Sequence, residues 1–166
     1  MSTNKFYSTI KTNEIYNLTM INLQITTSKG VSISQIRALQ KKLKRVLPSD
    51  YVYLLLNYYE LMFSNDRLGV IYDGNEEVGV IENPLLNLAL FEEANNKRTE
   101  DAQKFYRYYE NDVIAIGTLM HNGVILMGCH NNNVNQIFID IPQQSERVQK
   151  VAEDYFEFLN EIVEVQ

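Results

Sequence analysis

One cysteine, three prolines, two histidines and no tryptophan occur among 166 residues. The lone Cys129 has no partner for a disulfide within the chain. With His121 and His130 as the remaining soft ligands, no zinc finger or metallohydrolase spacing can be assembled, so no metal is expected. No apolar run approaches the roughly 20 residues that cross a bilayer, which removes a membrane role from the expectations. GxSxG, HExxH, phosphate-cradling loops and dinucleotide fingerprints are all missing. A non-enzyme without a cofactor is the reading that follows. The N-terminal stretch also lacks the basic start, apolar centre and small-residue cleavage site of a secretory signal, and a cytoplasmic location is expected.

What is present is a chain with 45% hydrophobic residues and enough length for a core of its own, so a single domain is expected over 1–166. The net charge of -6 hides an asymmetry. Residues 1–50 carry eight Lys or Arg against Glu14 and Asp50, giving +6, whereas 51–166 carry seven against nineteen, giving -12. An acidic remainder of that size repels phosphate and attracts cationic partners. The basic residues of the first half, Arg37, Lys41, Lys42, Lys44 and Arg45, read as a solvated helix face, and no nucleic-acid partner is expected.

Punctuation and periodicity place the elements. Residues 1–30 are an N-terminal extension in which only Ile21 to Ile25 alternate as a strand does. Ser32 and Gln35 have capping-box spacing, with Val31 and Ile36 as a hydrophobic staple, and a helix starts near Ile33. Its core face is Ile33, Ile36, Leu39, Leu43 and Val46. Leu47 and Pro48 turn the chain into a second helix starting about Pro48, with Tyr51, Leu54, Leu55 and Tyr58 as its apolar stripe. A hairpin follows, Leu68 to Tyr72 and Glu77 to Ile81 around Asp73 and Gly74. Asn83 and Pro84 look like the start of a third helix ending near Asn95, and Thr99 to Tyr109 read equally as a short fourth helix or as an irregular excursion. Three strands, Val113 to His121, Val124 to Cys129 and Val134 to Ile141, form a meander whose first turn is Asn122 and Gly123. A closing helix from Glu146 to Val163 puts Val148, Val151, Ala152, Tyr155, Phe158, Leu159 and Ile162 on one face. The fold class is α+β: an antiparallel or mixed sheet of about five to six strands, flanked by an N-terminal helical pair and a C-terminal helix.

The Leu47-Pro48 corner, the strand Asp112-Val113-Ile114-Ala115-Ile116-Gly117 and the ending Val151-Ala152-Glu153-Asp154-Tyr155-Phe156-Glu157-Phe158-Leu159 resemble, in order and spacing, the SUKH superfamily. That superfamily holds bacterial toxin-immunity proteins and fungal cell-wall regulators. The resemblance covers about residues 33–162. It implies a non-catalytic α+β scaffold and, for the bacterial members, an antidote that binds and blocks a toxin domain. This chain departs from the common pattern at Asn57-Tyr58-Tyr59-Glu60, where members carry Asn-Gly-Gly, and lacks the Gly-Gly-Asp turn after the Ile-Gly strand.

Two groups are candidates for a protein interface. The acidic residues Asp73, Glu76, Glu77, Glu82, Glu92 and Glu93 would suit the cationic groove of a toxin such as a nuclease. Tyr106 and Tyr108, beside Glu110 and Asp112, would supply the amphipathic rings that anchor interfaces. Cys129 reads as a buried apolar cysteine, and the two histidines as residues flanking turns.

Overall fold

The computed structural model describes residues 23–26, 30–57, 60–63, 68–72, 77–86, 90–92, 94–95, 112–142 and 148–164. The stretch 99–109, short helix or irregular excursion, lies outside them.

The N-terminal helical pair forms as its punctuation predicts. Helix α1 is Ile33–Leu43; the Ser32 hydroxyl accepts from Gln35 N at 3.3 Å, and Ser32 N donates to Gln35 Oε1 at 2.9 Å. Val31 and Ile36, the staple pair, are both buried. Lys44 then adopts a left-handed φ of 52° that ends the helix and breaks its phase. The predicted core face is therefore too long at both ends. Ile36 and Leu39 are buried and Leu43 packs against the core, but Ile33 is 55% exposed and Val46, beyond the cap, 80% exposed. Helix α2 is Ser49–Asn57, with the Pro48 carbonyl accepting from Val52 N at 3.0 Å. Its first turn buries Asp50, an anion where the helix dipole favours one.

Strands β1 (Leu23–Thr26) and β2 (Glu60–Phe63) pair antiparallel as a separate two-stranded sheet. The alternating N-terminal stretch is thus a strand that does not join the main sheet. The main sheet has seven strands: β3 (Leu68–Tyr72), β4 (Glu77–Asn83), β5 (Val113–Leu119), β6 (Gly123–Gly128), β7 (Ile137–Asp140), β8 (Val148–Ala152) and β9 (Ile162–Glu164). Their order is β8-β7-β6-β5-β4-β3-β9, every pair antiparallel. Six consecutive strands make a meander, and the last strand crosses to its far edge.

That crossing corrects the expected closing helix. Residues 148–152 pair with β7, only Tyr155–Asn160 is helical (α3), and 162–164 is strand. The physical reason is the cap: Asp154 Oδ1 accepts from Phe156 N at 2.8 Å and Glu157 N at 2.9 Å, starting the helix well after Glu146. Ahead of it, Val148 and Val151 are β-branched residues suited to a sheet. A flat seven-stranded sheet would hold β8 and β9 about 29 Å apart, more than the short α3 connection spans comfortably, so the sheet curls toward a barrel.

The turn between β5 and β6 also differs from expectation. His121 and Asn122 both have positive φ, 59° and 63°, as a type I′ turn requires, and Gly123 is the first residue of β6. Gly123 is present for space instead: a Cβ there would lie 2.8 Å from Leu119 Cβ. The third meander strand is shorter than expected, because residues 131–135 are turns and pairing begins at Ile137.

Alternation along the central strands buries both faces of the sheet. Ile114, Ile116, Ile125, Met127, Ile137 and Ile139 join the helices in the main core, while Val113, Ala115, Leu126 and Phe138 form a second cluster with Ala94 and Val148.

Candidate interaction surface

The site is best approached from the edge of β5. Strand β4 pairs with β5 only through Ile81 and Asn83, so among the described residues the backbone of Val113 to Ile116 has no strand beside it on that side. Buried backbone groups left without partners are costly, and three substitutes supply them here. Arg45 Nη1 donates to Val113 O at 2.9 Å, Leu86 N donates to Ile116 O at 2.7 Å, and the Asn95 amide spans Ala115. Asn95 Nδ2 donates to Ala115 O and to Phe91 O, and Asn95 Oδ1 accepts from Ala115 N, all at 2.8 Å. One side chain therefore imitates a strand residue. This arrangement also corrects the start of the third helix, while its end near Asn95 stands. Asn83 ends β4, with Nδ2 donating to Thr118 Oγ1 at 3.0 Å, and residues 84–86 are not helical; helical turns appear at 90–92 and 94–95.

Three family segments meet beneath this edge. A Cβ on Gly117 would lie 2.6 Å from Asn83 O and 3.0 Å from Pro84 O, and Tyr155 from α3 donates its hydroxyl to the same Pro84 O at 2.6 Å. Tyr51, from the Leu-Pro corner, stacks on Phe91 with ring centroids 4.9 Å apart. Burial pushes the phenols of Tyr51 and Tyr155 above the ordinary tyrosine range, so neither ionises near neutrality. Their hydroxyls differ in one respect: among the described residues Tyr51 Oη has no hydrogen-bond partner. Tyr155→Phe should accordingly cost about 1–3 kcal/mol by orphaning a buried carbonyl. Tyr51→Phe should be neutral or stabilising by up to about 1 kcal/mol, since it removes an unsatisfied hydroxyl. Urea unfolding of the two variants checks the contrast, and equal losses would contradict it.

The predicted interface residues are distributed as follows. Asp73, Glu76, Glu93, Tyr106 and Tyr108 lie outside the described residues. Glu77 opens β4, and Glu82 lies near its other end, exposed, accepting from Thr118 Oγ1 at 3.2 Å. Glu92 stands elsewhere, on the helical turn at 90–92, where it forms an ion pair with Lys42 of α1. That pair gives Glu92 an intramolecular role.

A different surface collects at the α1–α2 corner. Val46 is exposed there, and the β6–β7 loop is carried to it, because Asn135 Oδ1 accepts from Asp50 N at 3.5 Å. Next to Asn135, Val134 is 47% exposed. Along α1, Ile33, Arg37 and Lys41 follow one another four residues apart on one outer stripe, Lys44 stands at its C-cap, and all four are exposed. Among the described residues Arg37, Lys41 and Lys44 have no acidic partner.

Chemistry at the remaining candidates is modest. Cys129 is half-buried at the end of β6, its N–H donating to Asp112 O at 2.7 Å. Burial raises its thiol pKa; Arg45 opposes that only in part, leaving the thiol protonated and poorly nucleophilic. His121 and His130 are exposed in turns. Among the described residues no group of three or more His, Cys, Asp or Glu could hold a metal ion, and no helix is long and apolar enough to cross a membrane.

Sequence reasoning missed Asn95, which it treated as the end of a helix, and the exposure of Val46. Nothing in the local pattern signals that an asparagine will serve a strand far along the chain. For Val46 a signal existed: four residues, Lys44 to Leu47, lie between Leu43 and Pro48, enough for a cap to rotate the phase.

A profile of the SMI1 / KNR4 family (SUKH-1) matches residues 30–161. That span runs from the start of α1 through α3 and contains the corner, the Asn83-Pro84 junction, Gly117 and Tyr155. No curated protein matches the chain. Members of the family are generally non-catalytic, and membership supports an immunity protein or an interaction module of the SMI1/KNR4 kind. A match covering well over half of the chain, on an α+β scaffold with the helical pair and curled antiparallel sheet described above, places the protein in the SMI1 / KNR4 family (SUKH-1).

Proposed function

We propose that this chain is a cytoplasmic immunity protein that binds and neutralises a bacterial polymorphic toxin domain without catalysis. The observation that carries this reading is the family match over residues 30–161, on a chain without catalytic sequence motifs. The contact surface is assigned to the acidic residues Asp73, Glu76, Glu77 and Glu82 with Tyr106 and Tyr108; Glu92 contributes less because Lys42 neutralises it. An anionic surface of this kind would occupy the cationic groove of a nuclease and speed association. Expression beside the product of an adjacent toxin gene should restore growth to a host that the toxin alone arrests. Replacing Asp73, Glu76 and Glu77 by Lys should slow association by roughly tenfold at low salt, with less change in dissociation. No rescue by soluble, folded protein sinks the immunity reading, and an unchanged on-rate moves the interface elsewhere. The family's SMI1/KNR4 name favours a second reading, a regulatory binding module with no toxin; it expects no toxin gene nearby and no rescue.

A further inference from the structure

Arg37 and Lys41 on the outer stripe of α1, and Lys44 at its C-cap, have no carboxylate among the described residues to neutralise them, in a chain whose net charge is -6. Lys42, off that stripe, does have one, Glu92. Like charges three and four residues apart on a helix repel, so the stripe weakens α1 and no described neighbour offsets it. Both ends of the stripe are aliphatic and exposed. Ile33 lies at one end, and Val46 at the other, where the loop bearing Val134 reaches the corner. Basic residues bracketed by exposed aliphatic ones give this face both charge and apolar contact area to offer a protein partner.

We propose that the outer stripe of α1 and the α1–α2 corner form a second docking surface, one that takes an acidic protein segment carrying aliphatic side chains. Its glutamates or aspartates meet Arg37, Lys41 and Lys44, and its aliphatic groups cover Val46 and Ile33. A protein fits better than a nucleic acid for two reasons on this surface. Phosphate gives no use to exposed valine and isoleucine, and the stripe carries no aromatic platform for base stacking. The charge is also opposite to that of the acidic surface assigned above, so the two faces select different partners and this assignment stands or falls separately from toxin binding.

The probe is a labelled synthetic peptide of glutamates with leucines at helical spacing, titrated with the full chain by fluorescence anisotropy, beside a short DNA duplex and a single-stranded RNA. The peptide should bind, more weakly as salt rises. Arg37→Glu with Lys41→Glu should weaken binding about tenfold or more, and so should Val46→Asp alone, since one charge pair or one buried aliphatic contact is worth about that factor. All these positions are exposed, and circular dichroism should show folded variants. No peptide binding, or peptide binding indifferent to Val46→Asp, overturns the proposal. Tighter binding of DNA or RNA that is lost in Arg37→Glu with Lys41→Glu also overturns it and makes the stripe a phosphate-binding face.

Discussion

Asn95→Asp should unfold at much lower urea than the parent protein, with a loss of about 3–5 kcal/mol, although the two side chains have nearly the same shape. Asn95 is 5% exposed, and its amide holds both backbone groups of Ala115 as well as Phe91 O. A carboxylate can still accept from Ala115 N through one oxygen, but its other oxygen, in place of Nδ2, faces two carbonyls that need donors. Asn95→Leu should lose a similar amount by leaving all three groups unsatisfied. Because a domain of this size is stable by only about 5–15 kcal/mol, either change removes much of the margin. Far-ultraviolet circular dichroism against urea gives the midpoint. An unfolding free energy for Asn95→Asp within about 1 kcal/mol of the parent would mean that Asn95 does not substitute for a strand.

Gly117→Ala should cost about 3 kcal/mol, at the high end for the addition of one carbon to a core. The added Cβ would meet two backbone carbonyls and Ile125 Cδ1, the last at 2.9 Å, and backbone cannot swing aside as a side chain does. One of those carbonyls, Pro84 O, is fixed by the Tyr155 hydroxyl. The two positions therefore share a part, and Gly117→Ala combined with Tyr155→Phe should destabilise by less than the sum of the separate changes. Thermal or urea unfolding of the three variants measures this. Strict additivity would show that Gly117 is needed for some other reason than the approach of Pro84.

The legible part of this protein is local chemistry. The Ser32–Gln35 box, the Val31–Ile36 staple and the Leu-Pro corner act between near neighbours, and they read correctly. The strand cores of the meander were also legible, because their alternation repeats over several residues. The illegible part is competition between elements. Val148 to Ala152 fit a helical wheel as well as they fit a strand, and the unfilled edge of β7 decides for the strand. Asn83-Pro84 looks like a helix start by composition, yet Leu86 N is claimed by Ile116 O. Of the interface candidates, Glu82 and Glu92 are ordinary surface acids until their neighbours Thr118 and Lys42 are known. A binding surface on such a scaffold carries no motif of its own.

The far-edge placement of β9 sets a timetable for synthesis. Val70 pairs with Ile162, about ninety residues later in the chain. While the ribosome builds that interval, β3 can pair with β4 but its other edge stays open, and an open apolar edge is a site for pairing with a wrong chain. The sheet is complete only when Ile162 to Glu164 leave the exit tunnel. Strand β9 thus behaves as a clasp on a nascent chain, and a chain cut before Ile162 would leave β3 permanently exposed to what the intact chain meets only during synthesis.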